Sequence, residues 1–214
     1  MYGVLFDLDG TLLDTLEDLA DSVNYALAQH GHPLRTLEEI RAFVGNGAAM
    51  LAKLATPEGE DYEQVLRTFQ AYYKTHSQVK TGPYAGVLDI LVEIRAQYPV
   101  AVVSNKPDPA VKSLCKDYFG DVLAMGEHEG CPRKPAPDML YKTLETLGAQ
   151  KCVYVGDSDV DVITATNAGA PCLSVLWGFR DRDCIEAAGG KYFCEKAEDM
   201  AKMLDQIVEE TYGK

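Results

Sequence analysis

Val100-Ala101-Val102-Val103-Ser104-Asn105-Lys106 is a run of four apolar residues that turns polar in a single step. Such a run is too short for a core helix and suits a strand buried on both faces. Before it, the pattern predicts a helix near Val87 to Gln97, and after it one near Pro109 to Tyr118. The alternation continues with a short strand near Val122-Leu123, a helix near Asp138 to Leu147, and strand Cys152 to Val155. A helix near Val160 to Ala168 then leads to strand Cys172 to Leu176. Short apolar strands alternating with helices give a parallel sheet covered on both faces, so the fold class is α/β, a doubly wound, Rossmann-like sheet.

On the N-terminal side the preceding strand is Val4-Leu5-Phe6, and what lies between reads as helical throughout. Leu16, Leu19, Val23, Ala26 and Leu27 recur at helical spacing, with Glu17 and Asp18 at the positive end and Gly31 as a stop. Thr36 and Glu39 form a capping-box pattern, and Thr56-Pro57 reads as an N-cap followed by proline at the first helical position. Asp14 and Thr15 are further N-cap candidates. These signals predict an all-helical cap at 15–82, inserted after the first strand of a core made of 1–14 and 83–214. Hinges are expected near Asp14-Thr15 and Gly82-Pro83.

The chain has 214 residues, 47% of them hydrophobic and 25% charged, which excludes disorder and a collagen-like repeat. No apolar run is long enough to span a bilayer. Its 33 acidic residues outweigh 20 basic ones, for a net charge of -13, so neither nucleic acid nor an anionic membrane is an expected partner. The opening residues carry no secretory signal pattern, and the six cysteines form no C-x-x-C pair. Reduced thiols and a cytoplasmic location are the expectation. The four histidines lack cysteine partners at zinc-ligand spacing and read as surface or structural residues.

In open parallel sheets ligands bind at the carboxyl ends of the strands. Those ends carry Asp7-Leu8-Asp9-Gly10-Thr11, then Ser104-Asn105, then Gly156-Asp157-Ser158-Asp159-Val160-Asp161, with Lys134 in a loop ahead of a helix. Carboxylates crowded on one rim repel one another unless a cation neutralises them, and an all-oxygen cluster suits Mg²⁺. Asp7 and Asp157 are the candidate metal carboxylates, with Asp9 adding a main-chain carbonyl. Thr11, Ser104, Asn105 and Lys134 are the candidate phosphate donors. In the cap, Gly45-Asn46-Gly47 forms a turn whose amides can approach a ligand.

Taken alone, Asp157, Ser158 and Asp159 read as turn or helix-cap residues, and Lys134 as an exposed lysine. Their joint arrangement carries the reading. D-x-D-G-T at Asp7–Thr11, Ser104-Asn105, Lys134 in K-P-A-P, and Gly156-Asp157-Ser158-x-x-Asp161 resemble, in order, the four motifs of the haloacid dehalogenase-like hydrolases. That resemblance implies a helical cap over the substrate and phosphoester hydrolysis through an aspartyl-phosphate. Asp7 would be the nucleophile, Asp9 the general acid and base, and Asp161, with Ser158, would act from behind the metal ligands.

Asp9 argues against a halide-displacing relative, which has no alkoxide to protonate. Arg41–Gly47, Pro83-Tyr84-x-Gly86-Val87 and Trp177-Gly178-Phe179 resemble segments of phosphoglycolate phosphatases. A small glycine-lined site would favour a small leaving group. Phosphatases of other small esters, sugar phosphates or pyrophosphate share the pattern, and Arg180–Asp183 departs from it at the rim. From other classes, a phosphate-sensing receiver or a scaffold is the alternative, disfavoured by the insertion and by the retention of Asp7, Asp9 and Lys134.

Overall fold

The computed structural model describes residues 1–213. Six strands form one sheet: β1 (Tyr2–Phe6), β4 (Val100–Pro107), β5 (Leu123–Glu127), β6 (Lys151–Gly156), β7 (Cys172–Val175) and β8 (Tyr192–Cys194). Their order is β5-β4-β1-β6-β7-β8, and every neighbouring pair is parallel. Strand β1 is central, with Phe6 level with Val102 of β4 and Val155 of β6. That register brings the ends of all three strands to one rim.

Side chains alternate between the two faces, as the period-2 geometry of a strand requires. Val4, Phe6, Val100, Val102, Val153 and Val155 pack on one face with α5 (Val87–Gln97), α6 (Asp108–Phe119) and α10 (Met200–Tyr212). Leu5, Ala101, Val103, Cys152 and Tyr154 pack on the other with α7 (Asp138–Leu147), α8 (Asp159–Asn167) and α9 (Arg182–Ala187). Full burial of each such aliphatic side chain stabilises the fold by about 1.5–3 kcal/mol. The C-terminal elements β8, α9 and α10 complete layers that the apolar pattern alone did not define.

Four helices lie between β1 and β4: α1 (Leu16–Gln29), α2 (Leu37–Phe43), α3 (Gly47–Ala55) and α4 (Tyr62–His76). Leu19, Val23, Leu27, Ile40, Leu51 and Phe69 make them a hydrophobic cluster of their own, joined by Phe179 from the loop after β7. The chain enters through β2 (Leu13–Asp14) and leaves through β3 (Gly82–Pro83), which pair antiparallel.

Two local expectations are corrected. Thr56 ends α3 instead of starting a helix, since its hydroxyl donates to Ala52 O at 2.7 Å. Gly59, at φ +86°, lies in the turn that follows, and Asp61 caps α4 by accepting from Glu63 N. Thr15 sits at the N-cap position of α1 but makes no cap bond; its hydroxyl donates to Asp9 at 2.7 Å. The Thr36–Glu39 capping box forms as expected.

Candidate active site

Asp7 follows directly on β1 and is buried. One oxygen, Oδ1, accepts from Leu8 N at 2.8 Å and from Lys134 Nζ at 3.0 Å. The lysine, which taken alone would read as exposed, is 2% exposed. Its ammonium also reaches Asp161 Oδ1 and the Tyr154 hydroxyl, each at 2.8 Å, and Tyr154 donates onward to Val103 O. Burial works against the Lys134 charge, but Asp161 and Asp7 outweigh it and raise its pKa.

Asn105 fixes the lysine loop. Its side-chain oxygen accepts from Lys134 N, and its amide donates to Lys134 O at 3.0 Å and to Gly45 O at 3.1 Å. Both side-chain N–H groups are thereby engaged, so the Asn105 side chain positions Lys134 and touches the helical insertion. Thr11 lies behind the site: it is fully buried and donates to Asp157 Oδ1 at 3.1 Å. Of the candidate phosphate donors, Ser104 and Asn105 stand on the wall of the cavity.

Asp157, after β6, accepts from Phe179 N at 2.7 Å through its second oxygen. Asp161 Oδ2 accepts from the amides of Asp157 and Ser158 and from the Ser158 hydroxyl, forming a capping box at the start of α8. Glycines wall these carboxylates closely. A Cβ on Gly10 would lie 2.3 Å from Asp157 Oδ2, one on Gly178 2.3 Å from Asp157 Cβ, and one on Gly156 2.3 Å from Asp161 Cγ.

Oxygens of Asp7, Asp157 and Asp161 lie within 4.8 Å of one another, a group that could hold a metal ion. The surroundings fit one. Burial, more than the opposing charge of Lys134, raises the pKa of Asp7 to about 7, with Asp161 and Asp9 adding repulsion. Burial and the charges of Asp161 and Asp7 push Asp157 well above the usual carboxylate range. A hard divalent cation bound by oxygen relieves such a cluster. Asp161 Oδ1 pairs with the Lys134 ammonium and its Oδ2 accepts three donors, whereas each Asp157 oxygen accepts one, so Asp7 and Asp157 are the freer carboxylates of the group.

Asp9, two residues on, accepts from Thr15 and from Lys106 Nζ, the latter at 2.8 Å. Lys106 also donates to the Tyr73 hydroxyl of α4 at 2.8 Å. A cavity of about 590 Å³ opens between this rim and the inserted helices, with Asp7, Asp9, Lys106 and Asp157 on one side and Gly45, Gly47 and Tyr73 on the other. It is roomier than the tight glycine-lined site expected, since Leu19, Leu51 and Phe69 also line it. Asn46 is not on its wall. Gly47, at φ +81°, sits where a Cβ would come within 3.3 Å of Asn105 O.

The profile of the haloacid dehalogenase-like hydrolases matches residues 4–175. The chain belongs to that family. Membership and the helical insertion after β1 set the receiver alternative aside. The family relatives include a phosphoglycolate phosphatase of Pseudomonas putida, 35% identical over 206 residues covering 86% of this chain and 72% of the relative. Another, from Photorhabdus laumondii, is 30% identical over 85% of this chain and 83% of its own length. Among solved structures, a Lactobacillus delbrueckii protein provisionally assigned as a phosphoglycolate phosphatase superposes with a TM-score of 0.89 at 35% identity. That match covers 94% of this chain and 97% of the other.

Tyr73 escaped the sequence reading, and Lys106, Arg41 and Arg180, although they lie in the stretches quoted there, were given no role. Lys106 adjoins Ser104-Asn105, and that adjacency was the one available signal. Arg41 donates to Gly178 O and Phe179 O, while Arg180 donates to the main-chain oxygens of Arg41, Ala42 and Val44.

Proposed function

We propose that this protein is a Mg²⁺-dependent phosphomonoester hydrolase acting through an aspartyl-phosphate on Asp7, with 2-phosphoglycolate as its substrate. The observation that carries the reading is the asymmetry of Asp7. One oxygen is fixed by Lys134 and Leu8 N, while among the described residues the other has no partner, and the residue lines the cavity. A carboxylate held in this way presents one oxygen for in-line attack. The relatives named phosphoglycolate phosphatase support the choice of substrate.

Asp7 Oδ2 attacks phosphorus as the ester P–O bond breaks, and Asp9 delivers its proton to the departing alkoxide. Water then attacks the phosphorus of the aspartyl-phosphate and loses its proton to Asp9, which releases phosphate and restores Asp7. Lys134 keeps a positive charge against Asp7 and the phosphoryl oxygens, and the Ser104 hydroxyl donates to them. Mg²⁺, held by Asp7, Asp157 and the Asp9 main-chain carbonyl, would screen the repulsion between nucleophile and phosphate. Thr11 and Asp161 hold Asp157 and Lys134 in place, and Ser158 holds Asp161.

The helices of 15–82 act in this reading as a cap over the cavity, with Gly45 and Gly47 closing its roof. The substrate is a small phosphorylated metabolite, since the net charge of -13 disfavours a polyanion. Among the described residues no helix is long and apolar enough to cross a membrane. Six free thiols, five of them buried, support a reducing, cytoplasmic location.

The test is phosphate release from a panel of small phosphomonoesters with and without Mg²⁺. Metal-dependent release with 2-phosphoglycolate preferred supports the proposal. Preference for a sugar phosphate or pyrophosphate would move the substrate but keep the chemistry, and no release from any ester would overturn both.

A further inference from the structure

Lys106 is a buried cation that the chemistry above does not use. Its side chain is 4% exposed, and lysines are rarely buried unless paired. The ammonium has three N–H donors. One goes to Asp9 Oδ1 and one to the Tyr73 hydroxyl, each at 2.8 Å, and among the described residues no acceptor takes the third. Lys106 lines the cavity, so that donor is available to a ligand. Asp9 Oδ1, 2.8 Å away, is the carboxylate that pairs with it.

The other cations near the reacting atoms are engaged. Lys134 has all three donors on Asp7, Asp161 and Tyr154. Arg180 bonds the carbonyls that end α2. Lys74 also lines the cavity, but its side chain is exposed. A second anionic group on the substrate would therefore meet carboxylates on most of this rim and one buried ammonium with a donor to spare.

We propose that Lys106 is the specificity-determining residue of this site, binding the carboxylate of a phosphate ester whose carboxylate is attached to the phosphorylated carbon. This inference rests on the hydrolase reading above. The geometry follows from the role of Asp9. The ester oxygen must lie within hydrogen-bonding reach of Asp9 to receive its proton, and Lys106 Nζ sits 2.8 Å from that same carboxylate. In an ester of an α-hydroxy acid, the carboxylate carbon is two bonds from the ester oxygen. It arrives beside Asp9, where the free N–H of Lys106 is. Tyr73 holds the ammonium from the opposite wall, so the pocket for the carboxylate needs both the strand rim and α4.

The test compares 2-phosphoglycolate with ethyl phosphate, which keeps the ester and replaces the carboxylate with a methyl group. In the wild type, kcat/KM should favour 2-phosphoglycolate, and Lys106→Met should reduce that preference by about 10- to 100-fold, the range for a hydrogen bond to a charged group. Calorimetry provides a second readout without turnover. With Mg²⁺ present, Asp7→Asn should bind 2-phosphoglycolate more tightly than ethyl phosphate, and adding Lys106→Met should remove the difference. Equal losses for both esters would make Lys106 a positioning residue for Asp9 and overturn the proposal. If Lys106→Met fails to fold, the wild-type ratio decides, and no preference for the carboxylate ester overturns the proposal while hydrolysis of both esters leaves the hydrolase reading standing. Hydrolysis of neither ester would overturn the hydrolase reading and this inference with it.

Discussion

Arg180 donates to the main-chain oxygen of Arg41 at 2.8 Å, and Arg41 donates back to Gly178 O and Phe179 O at 2.7 and 2.9 Å. This reciprocal pair joins the C-terminal end of α2 to the loop after β7. Helix-end carbonyls lack intrahelical partners, and a guanidinium satisfies several at once. Between the arginines, Phe179 places its ring in the core of the inserted helices and its N–H on Asp157. The seat of the helices and a carboxylate of the acidic cluster thus share one residue.

Removing Arg180 should loosen that seat without unfolding the sheet. Arg180→Ala is expected to increase hydrogen exchange in α2 and to raise KM several-fold, with a stability loss of about 1–3 kcal/mol for the lost carbonyl bonds. Exchange in α2 equal to the wild type would show that the pair does not hold the helices.

Gly178 is required by the space around Asp157. In Gly178→Ala the added methyl group would stand 2.3 Å from Asp157 Cβ and 2.5 Å from Gly10 O, so the carboxylate must shift. Mg²⁺ affinity measured by calorimetry should fall about 10-fold or more. Gly31→Ala is the contrast: it meets nothing within 4 Å, and its φ of +71° gives only backbone strain. It should lower stability by about 1 kcal/mol and leave Mg²⁺ affinity unchanged.

The raised Asp7 pKa sets a pH dependence with a definite sign. Between its ordinary 3.8 and about 7, folded metal-free protein holds a proton that the unfolded chain has lost. Stability therefore falls as pH rises through that window, and the Asp7 contribution is gone above about 7. Mg²⁺ competes with that proton, so its stabilisation of the fold should grow with pH up to about 7. Thermal melts with and without Mg²⁺ near pH 5 and near pH 8 check this; a larger metal-induced shift at the lower pH would contradict it.

Much of the fold was legible because each central strand is a short apolar run that ends in functional polar residues. Val4-Leu5-Phe6 before Asp7 and Val100–Val103 before Ser104 could be read on chain order alone. Burial was not legible: Lys134 between Arg133 and Pro135 looks exposed until Tyr154, Asp161 and Asp7 surround it. Thr56-Pro57 misled because a helix-ending threonine and a helix-starting one precede proline alike, and only its bond to Ala52 O distinguishes them. Lys106 with Tyr73, and Arg41 with Arg180, meet across 33 and 139 residues, distances over which periodicity carries no information.

Asp18 shows the same limit. It read as a charge at the positive end of α1, yet it is buried and accepts from the amides of Val79, Lys80 and Thr81, at 2.8 to 3.0 Å, beside β3. Asp18→Ala would leave three amides without their acceptor and should cost about 3 kcal/mol in denaturant unfolding. Asp18→Asn, which keeps one acceptor oxygen, should cost less. Equal stability of all three proteins would show that the carboxylate does not anchor this junction.

The central claim is that Asp7 carries the phosphoryl group. Acid quenching during Mg²⁺-dependent turnover of 2-phosphoglycolate, followed by peptide mass mapping, tests it directly. The account predicts an acid-stable, hydroxylamine-sensitive phosphoryl group on Asp7, absent in Asp7→Asn, which should also release no phosphate. Phosphate release by Asp7→Asn at the wild-type rate, or a phosphoryl group trapped on a different residue, would contradict it.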